Sequence, residues 1–497
     1  MSKTTIANGE KSAIKQELDI LLINPPNLYT QKESIWVEVD SNFPPLGLAD
    51  IAGYLREKEY KIEILDSNLN CPSVEMFHQF FIKNYVSRFS SIKIIGITSA
   101  TVQIKKAYLI AKITKKYFPK SLIVFGGVHT TFVTEEVIKN KYVDIAVIGE
   151  GELTLEEIIS DKSLDQISGI AYKKYSGDDY EIIYTDSRTR IKDLDSLPMP
   201  AYDLLQIERY KPAIGSYKRL PAMSMMTSRG CPGKCTFCEK TLGNRLVYKS
   251  AETIFKEIKY LIKNYGIKQI QFYDDTFTTH KNNVIDLCKK ILSEKVDITW
   301  TCFSRVDFIN FKMLKYMKNA GCHQIMYGVE TIDETVLKNI NKKINVSQII
   351  KAVKWTKKVG IECRLAFMVG NPGDTKENIM KNISFVNLLN PDYLIVNITT
   401  PYPGTEMFKW AKEKNLILTY NWDDYDLSKP IMKLENLNEN EIKDLYQLMF
   451  RKFYFRPRYI LKRIFSIKSV GDIKILLEGF NSITSFFRKR LSKKIQG

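Results

Sequence analysis

The sequence predicts an α/β protein: a doubly wound parallel sheet, then a partial (β/α) barrel of six units, then a helical C-terminal region. Three observations carry this. Short apolar runs alternate with amphipathic stretches between Leu18 and about residue 160, enough for five β-α units. The same rhythm returns across 221–420 with six units. Between them, 161–220 breaks the rhythm with a hairpin pattern and the two-proline stretch LDSLPMPAYDLL.

In chain order, residues 1–17 read as a disordered arm. In 18–160, LDILLINPP, KIEILD, KIIGITSA, LIVFGG and VDIAVIGEGE read as strands. PLGLADIAGYLREKEY, VEMFHQFFIKNYV, QIKKAYLIAKITKKYFP, TEEVIKN and LTLEEIIS read as the helices after them. Within the linker 161–220, GIAYKK and YEIIYTD pair as a hairpin. In 221–420 the strands are AMSMMTS, IKQIQFYDD, ITWTCFSR, QIMYGVE, IECRLAFMVG and YLIVNITT. Residues 421–497 read as a basic helical region.

Composition narrows the function. The chain has 497 residues, ample for several domains with real cores. Its polar opening lacks a signal-peptide pattern, and no apolar run reaches membrane-spanning length. A cytoplasmic protein is expected. Eight cysteines in this length exclude a disulfide framework, and Cys71, Cys288, Cys302, Cys322 and Cys363 are expected to pack as small apolar residues. The formal charge is +18, concentrated at the end: residues 451–497 hold thirteen Lys or Arg against Asp472 and Glu478. Apolar and basic residues alternate there in blocks. That pattern fits a helix at an anionic membrane surface, and equally a helix packed on the barrel.

The chemistry is concentrated in RGCPGKCTFCEK, where Cys231-x-x-x-Cys235-x-x-Cys238 places three thiolates on one short loop. Thiolates suit iron–sulfur cubanes, and three of them bind three irons and leave the fourth open. A zinc loop usually brings two Cys/His pairs; no second pair is near, and the chain has four His in all.

This loop resembles that of the radical S-adenosylmethionine (SAM) superfamily. The resemblance implies a 4Fe-4S cluster whose open iron binds SAM, which reduction cleaves to a 5′-deoxyadenosyl radical. It implies Phe237 near the adenine, Glu330 near the ribose and Arg364 as a partner of the SAM carboxylate. Asp274 and Asp275 are expected near the SAM amino group, although QFYDDTF departs from the Gly-Gly-Glu of many members. Ser304, with Arg305, and Gly370 of GNPGD end strands at the same mouth. Tyr273, Tyr327 and Tyr402 are candidate bases.

The first domain resembles the Rossmann-like cobalamin-binding domains fused to such barrels, on NPP, PPLGLADIAGYL, GGVHTT and GEGE. Expected ligand contacts are Asn24, Ser67, Asn68, Ser99, Gly126, Gly127, His129, Glu150 and Gly151, all at strand ends. The Asp-x-His-x-x-Gly of methionine-synthase-like domains is here Asp66-Ser67-Asn68-Leu69-Asn70-Cys71, without the His or the Gly. Cobalamin is therefore expected without a protein histidine on its cobalt.

The resemblance implies an enzyme that methylates an unactivated carbon. The alternative is a cyclase or C–C bond-forming enzyme acting on a lipid, tetrapyrrole or natural product, similar to the anaerobic magnesium-protoporphyrin ester cyclase group. An RNA-modifying methylthiotransferase would add an RNA-binding β-domain and a second cluster, and neither is seen. Expected partners are a small-molecule or lipid substrate, a reductant such as flavodoxin or ferredoxin, and an anionic membrane surface through 451–497. Nucleic acid is not expected.

Overall fold

The computed structural model describes residues 15–26, 41–465 and 477. The first sheet has the order β2-β1-β3-β4-β5-β6-β7. Its strands are β1 (Gln16–Asn24), β2 (Ile62–Asp66), β3 (Phe89–Thr98), β4 (Leu122–Gly126), β5 (Ile145–Val147), β6 (Ile170–Ser176) and β7 (Asp179–Tyr184). β1 to β5 are parallel, and helices cover both faces. Leu21 and Ile23 enter one core with Ile95, Ile97 and Phe125, while Ile20 and Leu22 enter the other with Ile94 and Val124. Burial on both faces is why these strands read as unbroken apolar runs. The hairpin departs from expectation. β6 pairs antiparallel with β5, so it extends the first sheet and does not belong to the linker.

The second sheet is wholly parallel, in the order β15-β14-β13-β12-β11-β8. It comprises β8 (Ala222–Met225), β11 (Gln269–Phe272), β12 (Thr299–Ser304), β13 (Cys322–Glu330), β14 (Glu362–Val369) and β15 (Tyr393–Ile398). A two-stranded ribbon of β9 (Ser228–Arg229) and β10 (Val247–Tyr248) flanks the cysteine loop. Sequential neighbours in one parallel sheet make the expected six-stranded partial barrel.

Strand alternation explains its mixed residues. Ile270, Phe272, Trp300, Cys302, Ile325, Tyr327, Leu365 and Phe367 join the core under the helices. Their neighbours Gln271, Thr301, Phe303, Gln324, Met326, Arg364 and Ala366 face the barrel interior. Side-chain caps start the barrel helices: Ser250, Asn310, Asn345, Thr375 and Thr405 each accept from a backbone N–H in the first turn.

The helix Glu439–Tyr454 adds Ile442, Leu445, Tyr446, Met449 and Phe450 to the barrel core. The helix Pro457–Phe465 follows, with Arg463 4.0 Å over the Tyr393 ring and Lys462 2.7 Å from Asp392. This part of 451–497 packs on the barrel. Residues 466–476 and 478–497 lie outside the described residues, as do 1–14 of the expected arm. All five scattered cysteines are buried.

Candidate active site where the two sheets meet

The cysteine loop follows β9 at the carboxyl end of the barrel. Asp274 fixes its approach. Its carboxylate accepts from the Thr227 N–H (2.8 Å), the Thr227 hydroxyl (3.0 Å) and the Ser228 hydroxyl (2.6 Å), and burial raises its pKa to about 6. Gly230 then turns the chain at φ +88°; a side-chain carbon there would lie 2.6 Å from the Arg245 carbonyl oxygen. Cys231 is half-buried, Cys235 buried and Cys238 exposed. The Cys238 thiol donates to Cys235, and Lys342 and Arg305 add positive charge, so the Cys235 thiol is pulled down to about 6.

Two buried cations support the loop. The Arg305 guanidinium donates to Cys235 Sγ at 3.7 Å, to the Lys342 carbonyl at 2.9 Å and to both oxygens of Asp307. Lys342 Nζ lies 2.8 Å from Glu330 Oε1 and 5.8 Å from the Phe237 ring centroid. Glu330 ends β13 after a register shift, with φ +68°. Such a conformation costs a non-glycine residue on the order of 1–3 kcal/mol and marks functional positions.

The structure moves several expected contacts. Arg364 lies near the amino end of β14, at the barrel floor, where it donates to the Gly215 carbonyl at 2.6 Å and stacks on Tyr393. Counting along the strand from its start corrects its placement at the mouth. Asp274 is occupied by Thr227 and Ser228, which leaves exposed Asp275 as the free carboxylate of that strand end. The Ser304 hydroxyl pairs with Thr278 and the Arg305 carbonyl. Gly370 donates its N–H to Asp374, whose burial raises its pKa to about 7. Tyr327 is in the core, bonded to Thr356, and the Tyr402 hydroxyl donates to the Tyr425 carbonyl. Of the three tyrosines only Tyr273 faces the interior, 5.0 Å from Phe303 and 4.9 Å from Phe43.

The carboxyl end of the first sheet meets this mouth. Arg229, two residues before Cys231, is gripped by Glu150 (2.7 Å) and Glu152 (2.6 Å), with Asp50 at 3.5 Å; all are buried or nearly so. Burial raises Asp50 to about 6. Glu150 thus joins the two sheets, a role that corrects its assignment as a ligand contact. Nothing in the sequence pairs Arg229 with acids about 80 positions earlier, and Lys342 likewise carries no motif.

Asp66 accepts from Asn24, Asn68 and the Tyr210 hydroxyl, so the DSN strand end is tied to the linker. Ser99 bonds Thr130 and the Gly126 carbonyl. Gly127 (φ +92°) lies against Thr98 and Ser99, and Gly151 lies against Ile51. His129 is fully buried, edge-on to Trp422 and 3.3 Å from the Thr101 hydroxyl, and burial lowers its pKa to about 4. Its Nε2 is buried without a hydrogen-bond partner.

Comparison with known proteins matches the radical SAM superfamily model to residues 225–386 and the B12-binding domain model to residues 34–159. An uncharacterized methyltransferase of Pyrococcus horikoshii is 37% identical over 455 residues, covering 90% of this chain and 95% of that protein. This chain belongs to the radical SAM superfamily. It is a radical SAM enzyme with a B12-binding domain, and its cofactors are a 4Fe-4S cluster, SAM and cobalamin.

The anaerobic magnesium-protoporphyrin IX monomethyl ester cyclase of Rubrivivax gelatinosus is 26% identical over 439 residues, covering 85% of this chain and 76% of its own. The cobalamin-dependent SAM radical enzyme OxsB, solved with aqua-cobalamin and SAM bound, shares the fold. Its TM-score is 0.70 at 20% identity, covering 95% of this chain and 72% of OxsB.

The residues of this radical SAM enzyme fit the cofactors. Three thiols on one short loop, with Arg305 and Lys342 beside them, form a donor set for a cubane. Beside the cysteines, Thr236 Oγ1 is buried without a hydrogen-bond partner, and the buried Glu239 carboxyl is met by the Thr241 hydroxyl alone, which leaves acceptor capacity for a polar ligand. On the first sheet, Gly149 (φ +89°) faces open space: an added side-chain carbon would meet nothing. Bare backbone at strand ends suits a large ligand such as cobalamin.

Proposed function

We propose that this enzyme methylates an unactivated carbon in an apolar, uncharged part of a small molecule. The observation that carries the reading is the Arg229 clamp, which ties the B12-binding strand ends to the cysteine loop so that both cofactor faces border one barrel interior. When bound, the cluster and SAM supply a hydrogen-abstracting radical, and cobalamin supplies a methyl group.

The chain's own residues do the rest. Cys231, Cys235 and Cys238 anchor the cluster, and Arg305 and Lys342 hold positive charge against it. Below the loop, Tyr273, Phe303, Met326, Ala366, Ile395 and Asn397 alternate with core residues and stay half-buried. This wall carries no charge. It excludes water from a reacting carbon, and Asn397 Oδ1, buried and unpartnered, offers one acceptor to orient the substrate.

Relatives named methyltransferases support methyl transfer. The cyclase relative supports a second reading, the same radical start followed by ring formation. The test is anaerobic, cobalamin-loaded protein with SAM and a reductant and no added substrate. Methyl transfer predicts one S-adenosylhomocysteine per bound cobalamin. Release of 5′-deoxyadenosine alone would favour the cyclase reading.

The required electron donor fits flavodoxin or ferredoxin. Peripheral attachment to an anionic membrane is supported by Leu461, Ile464 and Phe465, exposed on the basic helix Pro457–Phe465. Among the described residues no helix is long and apolar enough to cross a membrane. Leu461→Glu with Phe465→Glu should abolish co-sedimentation with phosphatidylglycerol vesicles; unchanged binding contradicts attachment through this helix.

A further inference from the structure

We propose that a lysine-rich groove on the outside of the barrel docks the acidic protein that delivers electrons to the cluster. The proposal rests on the radical SAM assignment, which demands a one-electron donor. The groove lies between the helices Phe311–Asn319 and Val346–Lys358 and is an open depression of about 670 Å³. Phe311 and Trp355 form its floor, with ring centroids 6.0 Å apart. Four lysines stand over these rings or at the rim: Lys351 is 4.6 Å from the Trp355 ring, Lys315 and Lys358 are 4.9 and 5.6 Å from Phe311, and Lys354 lines the edge. None of the four has a carboxylate partner among the described residues.

Uncompensated positive charge around an aromatic floor complements an acidic protein surface and speeds its encounter. Position is the second argument. The helix Phe311–Asn319 follows β12, and Val346–Lys358 follows β13 after the short helix Glu334–Asn339. Phe311 lies six residues after Arg305, which touches Cys235, and Ser347 lies five residues after Lys342, which faces Phe237. Five residues span at most ~18 Å. The groove therefore starts within one short loop of the cysteine site. In the step itself, one electron leaves the reduced carrier, a flavin or iron–sulfur protein, and enters the oxidised cluster; no bond or proton moves.

The test uses the reconstituted full-length enzyme and its Lys351→Glu/Lys354→Glu/Lys358→Glu variant. Cluster reduction by a purified flavodoxin and by a ferredoxin is followed by stopped-flow absorbance. At low salt the variant should be reduced at least about 10-fold more slowly, and salt should erase the difference. Dithionite should reduce both proteins equally, which shows an intact cluster and fold. Equal rates with both carriers would overturn the proposal. So would lysine-dependent binding to phosphatidylglycerol vesicles with no change in carrier rates. Failure of dithionite to reduce the wild-type cluster would instead strike the radical SAM assignment.

Discussion

The barrel floor and the barrel mouth hold similar buried polar residues and use them in opposite ways. At the floor, Arg364 and Gln324 donate to the Gly215 carbonyl, and Gln269 and Gln271 donate to that of Ser216, so the linker plugs this end. At the mouth, Thr236 and Asn397 keep buried atoms without partners, and Glu330 sits in a strained backbone conformation. The floor directs its donors at the linker backbone, although Gln271 Oε1 and Arg364 Nε stay unpartnered; the mouth directs its cations, Arg305 and Lys342, at the cysteine loop and leaves Thr236 and Asn397 open to a ligand. Residue type does not separate the two, because position along the strand decides.

The sharpest break of this comparison is at the mouth. Cys235→Ala should abolish cluster assembly and SAM cleavage outright while leaving the thermal midpoint nearly unchanged. Iron and sulfide quantitation with a melting curve reads both, and a variant that still holds a SAM-responsive cluster would contradict the anchoring role.

Next in size is the clamp between the sheets. Arg229→Met leaves Glu150 and Glu152 buried without their cation, and should cost about 3–5 kcal/mol in denaturant unfolding. Replacing both acids by Gln in the same chain should restore much of that loss. A loss no larger in Arg229→Met than in the triple variant would show that charge burial is not the cause.

Arg364→Met tests the floor. It should cost about 1 kcal/mol, the loss of one of the two donors to the Gly215 carbonyl while Gln324 keeps the other, with cluster content and SAM affinity unchanged. Lost SAM affinity at full stability would return Arg364 to the mouth.

The last effect, of similar size, is at His129. Burial lowers its pKa to about 4, so the folded state holds it neutral while the unfolded chain titrates near 6.5. Its contribution is complete above about pH 6.5 and is lost as pH falls toward 4, because the unfolded chain alone takes up the proton. Between pH 7 and 5.5 the loss should be about 1 kcal/mol. His129→Leu should remove that slope; an unchanged slope assigns it to another group.

Much of this was legible in sequence. The strand runs LLIN, IIGIT and LIVFG announce themselves because both faces are buried, and the cysteine spacing is local. Arg364 misled because a barrel strand alternates inward and outward but does not reveal which inward residue sits at the floor. Glu150 and Arg229, and Lys342 and Cys235, are paired only by the tertiary fold. The hairpin was visible as a hairpin, but its edge pairing to β5 has no local signal.

The most direct measurement is electron paramagnetic resonance of the anaerobically reconstituted, reduced enzyme before and after SAM is added. A cluster held by Cys231, Cys235 and Cys238 with one open iron predicts a 4Fe-4S signal that changes shape on SAM binding and vanishes in the triple alanine variant. A fully loaded cluster whose signal ignores SAM would contradict the account.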